Sequence, residues 1–175
     1  MKAFDLLPFL IARARRSPRW LALLNIVMGR LIPFNRPHGF RIVELAEERV
    51  VTCASYRRAN HNHIRGIHAC AIATVAEFSA GLLLLSRLNP GRYRLIMSKL
   101  DVEYLYQAKK DIKAMTPLSA GDLQDLIVKP LETAESVTVI MATEVSDSDG
   151  AMVALARTSW QIKRWDKVRT KVRQP

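Results

Sequence analysis

Between Ala69 and Ser86 the chain runs for eighteen residues with one charged group, Glu77, in an otherwise apolar or small-residue series. That length approaches what spans a bilayer, but a carboxylate at its middle argues against a membrane span. A helix that is apolar around most of its circumference is normally wrapped by the rest of its own protein. The pattern therefore predicts a buried central helix that carries one acid. Positions three, four and seven away from Glu77 are Cys70, Ala73, Thr74, Ala80, Gly81 and Leu84, mostly small. The opposite side carries Ile72, Val75, Phe78, Leu82 and Leu83, mostly large. The large side reads as packing against a sheet, and the small side leaves room beside the acid for another backbone or a ligand.

The flanking patterns place this helix inside an α+β domain. Lys2–Arg16 and Pro18–Leu31 read as two short helices, ended by Pro33 and Pro37. Their apolar residues, flanked by arginines, suit a helical cover over a core, with peripheral membrane contact as the alternative. Residues 40–58 have the β-branched content of two strands or a hairpin. A polar turn rich in Asn and His follows, and then the central helix, which Asn89-Pro90-Gly91 stops. Residues 93–107 predict a long strand with Ile96, Ser98, Leu100, Val102, Tyr104 and Tyr106 on one face. Asp111–Thr116 predicts a short strand, and Leu118–Leu126 a loop or short turn of helix. Val137–Val145 and Met152–Lys163 predict two strands joined at Asp147-Ser148-Asp149-Gly150. The expected organisation is an N-terminal helical extension over 1–39, a sheet wrapped around one helix over 40–164, and a fraying basic tail over 165–175.

Composition adds two constraints. A chain of 175 residues, 49% of them hydrophobic, builds one domain with its own core. The net charge of +11 sits at the ends: residues 1–40 and 157–175 each carry seven Lys/Arg and one acid, whereas 41–156 hold thirteen basic and fourteen acidic groups. Basic ends suit an anionic partner or a solubilising surface, but no nucleic-acid-binding motif is present. Cys53 and Cys70 form no disulfide or metal pattern, and Met1–Ala12 makes a poor signal peptide, so a cytoplasmic setting is expected.

The candidate chemistry lies at the start of the central helix. His68 stands nine residues before Glu77. Nine helical steps separate them by about 13.5 Å along the axis and put them on opposite faces. Either the two are unrelated, or one site draws them from two subunits.

The element order and the turn residues resemble the hotdog fold, and within it acyl-CoA thioesterases of the phenylacetyl-CoA thioesterase type. They also resemble an uncharacterised branch related to the C-terminal domain of YiiD, including its N-terminal helices. In the thioesterases an Asn and a Gly precede a His-Gly-Gly that starts the central helix, with an acid nine residues after the His. Here Asn62, Gly66, His68 and Glu77 stand in that order, with His68-Ala69-Cys70 in place of His-Gly-Gly and a Gly-to-His gap one residue shorter. The resemblance implies a homodimer, with tetramers as a further assembly, that hydrolyses an acyl-CoA or acyl-carrier-protein thioester without a cofactor. In that reading Glu77 activates a water or attacks the thioester, and the amides at Ala69 form the oxyanion hole. Asn62 holds the water or the thioester carbonyl, and His68 orients the turn or contacts the carbonyl, with Gly66, Arg65 and Ser98 as substrate-binding residues. Burial is expected to raise the Glu77 pKa.

Other readings use the same residues. A 3-hydroxyacyl thioester dehydratase would use His63 and Glu77, fourteen apart, but the proline-rich turn between them is missing. A non-catalytic acyl or lipid binder would use the small side of the helix as a tunnel wall. His61, His63 and His68 complete no metal-ligand set at suitable spacing. Asn60 and Asn62 also suit turn and cap roles. Arg57, Arg58, Arg65, Lys109 and Lys110 are candidates for the phosphates of coenzyme A, or ordinary surface charges.

Overall fold

The computed structural model describes residues 3–168. Six strands form one antiparallel sheet in the order β1-β2-β4-β5-β6-β3. They are β1 (Arg41–Leu45), β2 (Arg49–Ala54), β3 (Tyr93–Tyr104), β4 (Ile112–Pro117), β5 (Ser136–Asp147) and β6 (Met152–Arg164). Strict alternation along β4 and β5 turns Ile112, Ala114, Val139, Met141 and Val145 inward.

Helix α4 (Ala69–Arg87) lies against this inner face and buries Ile72, Val75, Phe78, Leu82 and Leu83. Two buried hydroxyls fix it on β2. Thr52 Oγ1 donates to Val75 O at 2.7 Å, and Ser79 Oγ donates to Val50 O at 2.9 Å. Each satisfies a polar group that would otherwise be buried unpaired, at a cost of about 1–3 kcal/mol. By length and hydropathy α4 would be able to cross a membrane, but more than half of its apolar window is buried inside the protein. Ala80 and Leu84 are fully buried as well. The accessible strip of the small side therefore narrows to Cys70, Ala73, Thr74, Glu77 and Gly81.

The N-terminal helices share this core. Leu7 and Ile11 of α1 (Ala3–Ala14) and Leu24 and Met28 of α2 (Pro18–Leu31) join one buried cluster with Ile42, Leu83 and Leu84. Arg15 ties α1 to the end of α4 through Ser86 O and Oγ, both at 3.3 Å. Asn25 of α2 covers the free edge of β1: its Oδ1 accepts the Ile42 N–H at 2.7 Å, and its Nδ2 donates to Ile42 O at 2.9 Å. Strand β3, at the other edge, pairs only with β6 among the described residues, which leave its outer edge open.

The structure departs from the sequence reading in four places. Pro37 does not end the helical extension but sits inside a one-turn helix α3 (Asn35–His38), where a first-turn residue has no intrahelical use for its N–H. The segment after β4 is helical well beyond Leu126. It runs through α5 (Ala120–Leu123), a π turn (Gln124–Val128) and α6 (Pro130–Thr133). Ser119 caps it through Asp122 N, and Leu123, Ile127 and Leu131 pack it on the core. A bulge between Met97 and Lys99 shifts the β3 register. Tyr93, Leu95 and Met97 therefore share the inner side with Leu100, Val102 and Tyr104, while Ile96 points outward and Ser98 sits at the bulge. Finally, Trp165 is pinned rather than frayed: its amide donates to Arg92 O at 3.0 Å and its Nε1 to Pro90 O at 2.9 Å. The rest of the expected basic tail, from residue 169, and Lys2 at the start of the first expected helix lie outside the described residues.

Candidate active site at the start of the central helix

The loop that enters α4 is held by Asn60, which is 1% exposed. Its Nδ2 donates to His38 O at 3.0 Å and Ser55 O at 2.9 Å, and its Oδ1 lies 3.1 Å from His38 Nδ1. Its carbonyl accepts the His68 N–H at 2.7 Å. One buried amide thus joins α3, the end of β2 and the helix start. Beyond it, Asn62 closes a tight turn. Its Oδ1 accepts the amides of Ile64 at 3.1 Å and Gly66 at 2.8 Å. Only its Nδ2 remains to meet a ligand. Arg65 takes a left-handed φ of 59°, and its carbonyl accepts the Tyr56 hydroxyl at 2.7 Å. Gly66 packs under the Gln107 side chain, which would have to shift for a Cβ there, 2.9 Å from it.

His68 is the N-cap of α4. Its Nδ1 accepts the Cys70 amide at 3.1 Å. A neutral imidazole that accepts at Nδ1 carries its proton on Nε2, so the second nitrogen is a donor. The Ala69 N–H has no acceptor among the described residues. His68, Ala69 and Cys70 are all exposed. The helix start therefore offers an amide and an imidazole N–H with the positive end of the helix dipole behind them. Tyr104, to which the sequence reading gave no role, completes this end by donating from its hydroxyl to Ala69 O at 3.1 Å. Burial and the adjacent Cys70 raise its pKa.

Glu77 lies further along the same strip, beside a cavity of about 210 Å³ whose other walls, Met28, Phe78, Gly81, Leu95 and Trp160 among them, are apolar. No described group donates a hydrogen bond to its carboxylate, and burial pushes its pKa above the usual carboxylate range.

Within one chain these residues do not converge. Asn62 and Ala69 line a cleft of about 410 Å³ with Tyr104, Tyr106 and Gln107. His68 lines a second cavity of about 200 Å³ with Cys70, Thr74, His38 and Phe40. Glu77 lines a third. Ser98 lines none of the three and donates to Ser159 O at 3.2 Å. Arg65 and His63 are exposed on the turn. Lys110 is engaged by Asp149. The aromatic and imidazole walls from α3 were not legible beforehand, because the sequence gives no sign of which surface the extension covers. Among the described residues no set of three His, Cys, Asp or Glu side chains comes together as metal ligands.

Solved structures share the fold. A Pseudomonas aeruginosa protein of unknown function, named a probable thioesterase, superposes with a TM-score of 0.75 at 24% identity, covering 82% of this chain and 95% of its own. A second P. aeruginosa protein, a thioesterase variant, gives 0.65 at 14% identity over 86% and 99% of the two chains. A Haemophilus influenzae thioesterase gives 0.63 at 10% identity over 80% and 90%. The architecture is the hotdog fold, a sheet wrapped around one long helix. No curated protein matches the chain by sequence. The family model described as a domain of unknown function, DUF4442, matches residues 21–162, and the chain belongs to that family.

Proposed function

We propose that the protein is an acyl-thioester hydrolase that works as a homodimer. The observation that carries this reading is the division of labour along α4. The oxyanion donors are exposed at its first turn, whereas its single acid sits nine residues on, on another face, with a pKa raised by burial. A two-fold axis beside the open edge of β3 and the accessible strip of α4 would bring the Glu77 of one copy to the His68-Ala69 turn of the other. The structural neighbours named as thioesterases agree with this chemistry.

The steps follow from the groups. The thioester carbonyl oxygen accepts hydrogen bonds from the Ala69 N–H and from Nε2 of His68. Glu77 of the other copy removes a proton from water, whose oxygen attacks the carbonyl carbon. The tetrahedral intermediate collapses, the carbon–sulfur bond breaks, and the proton on Glu77 passes to the leaving thiolate. The raised pKa suits both halves of this cycle, since a base must take the proton and then return it near neutrality. Direct attack by Glu77 through an anhydride uses the same geometry.

Complementation between inactive variants tests the arrangement. Glu77→Gln and His68→Ala should each lose acyl-CoA hydrolysis. Mixed and refolded together, they should recover about a quarter of wild-type turnover, because half of the dimers are mixed and each mixed dimer has one intact site. If every site drew both residues from one chain, no recovery would be seen. A non-catalytic acyl carrier is the second reading, favoured by the apolar cavity beside Glu77. Tight acyl-CoA binding without turnover at any chain length would establish it instead.

A further inference from the structure

A cleft of about 520 Å³, larger than the three cavities around α4, lies where α2 and α3 meet the start of β1. Three arginines line it, Arg30, Arg36 and Arg41, together with Asn25, Ile26 and Phe40, and no acid does. A fourth, Arg57, lies at its rim, with Nη1 2.8 Å from where a Gly39 Cβ would stand. None of the four forms an ion pair with a described acid. Other arginines of the chain do: Arg49 pairs with Glu44, and Arg164 with Asp166. Asp111 is an acid whose field reaches Arg41, and its carboxylate is already engaged by the Tyr56 amide at 2.7 Å.

Arg41 is bonded by the Cys53 side chain, which holds its guanidinium charged, and four like charges gathered around one concavity favour the entry of an anion. Guanidinium groups fit phosphate oxygens through paired N–H donors. The floor is small where the chain passes closest. Nothing lies within 4 Å of a Cβ placed on Gly29, and Gly39 has the left-handed φ of 67° that ends α3. Phe40 and Ile26 offer apolar surface for a ring. The volume is that of a small-molecule site. Phe40 also lines the cavity that holds His68, Cys70 and Thr74, so the arginine cleft adjoins the start of α4.

We propose that this cleft binds the phosphorylated nucleotide end of the thioester's carrier, coenzyme A, through Arg30, Arg36, Arg41 and Arg57. The thioester arm then runs past Phe40 to the His68-Ala69 turn. This rests on the hydrolase reading for the ligand's other end, but the nucleotide end can be tested without it. Arg30 comes from α2, Arg36 from α3, Arg41 from β1 and Arg57 from the loop after β2, so the N-terminal extension acts as a carrier-binding element as well as a cover.

The test uses the full chain and adenosine 3′,5′-bisphosphate, which has no thioester. Calorimetric titration should show binding to the wild type. The double variant Arg36→Gln/Arg41→Gln should weaken that binding at least tenfold, while the exposed Arg19→Gln should leave it unchanged. With hydrolysis as readout, the ratio of kcat/KM for an acyl-CoA to that for the matching acyl-pantetheine should fall at least tenfold in the double variant. Nucleotide binding that depends on Arg36 and Arg41, in a protein that hydrolyses no thioester, would support the cleft and remove the hydrolase. No nucleotide binding, or equal binding by wild type and double variant, would overturn the cleft. Capture by anionic phospholipid vesicles without nucleotide binding would overturn it too, and would assign the arginines to a membrane face.

Discussion

A Cβ on Gly81 would stand 2.8 Å from Cη2 of Trp160, so the central helix and the indole of β6 meet at a distance that only glycine allows. Trp160 is held in place by its own hydrogen bond, Nε1 donating to Thr158 Oγ1 at 2.9 Å. The Glu77 carboxylate lies beside this contact, 3.5 Å from the same Cβ position. Two effects compete in Gly81→Ala. Helix propensity favours alanine by about 1 kcal/mol, and overpacking of a formed core costs about 1–3 kcal/mol. The contact is to a rigid ring, so overpacking should win. Gly81→Ala is expected to lower the urea midpoint in the wild type but to be neutral or stabilising in a Trp160→Phe background. Equal effects in both backgrounds would refute the steric account.

His68 combines a cap and a donor, and substitution can separate them. His68→Ala removes the side-chain acceptor for Cys70 N and should cost about 0.5–2 kcal/mol of stability. His68→Asn replaces the acceptor with a strong N-cap residue and should recover most of that loss. Neither variant retains the Nε2 donor, so both should lose about 10²–10³-fold in kcat. An Asn variant that is as active as the wild type would reduce His68 to a cap alone.

The parts of the fold that follow from local pattern were legible in the sequence. The eighteen-residue run around Glu77 announced α4, and Asp147-Ser148-Asp149-Gly150 announced the β5–β6 turn. The helical segment after β4 was also readable, because Leu123, Ile127 and Leu131 recur at helical spacing, but its Pro130 masked the continuity. The β3 bulge was not readable, since a bulge answers to the partner strand and leaves no mark in alternating residues. The candidate residues can be read from the sequence, but their placement in three separate cavities cannot. Helix geometry alone separates His68 from Glu77, and nothing local shows that α3 would bring His38 and Phe40 against the helix start.

One side chain of the cover bonds directly to the edge of β1. Asn25 presents an acceptor to Ile42 N and a donor to Ile42 O, the pattern that a neighbouring strand would present. Asn25→Asp keeps the shape but places an oxygen where Nδ2 faces the carbonyls of Ile42 and Leu21. It should cost about 1–3 kcal/mol through the lost bonds and the unpaired carbonyls. It should also speed amide exchange at Ile42. Exchange at Ile42 that matches the wild type in Asn25→Asp would show that packing of α2, and not this pair of bonds, protects the edge.

Glu77 should give the protein a pH dependence of both stability and rate. Burial raises its folded pKa above the ordinary value of 4.5, so the unfolded chain loses this proton at lower pH than the folded one. The stabilising contribution of the neutral acid is complete below that ordinary value. It declines as pH rises through the window between the unfolded and folded pKa, and it is lost above the folded pKa. Glu77→Gln has no proton to lose. It should therefore be more stable than the wild type at neutral pH, and its urea midpoint should vary less from about pH 5 to pH 8. Hydrolysis needs the opposite form, so the acid limb of kcat/KM in the wild type should rise above the ordinary carboxylate range, through the window in which stability falls. Coincidence of the two windows would tie the cost of burying this acid to its use as a base. A rate profile whose acid limb lies at the ordinary carboxylate value would separate them and move the base to another residue.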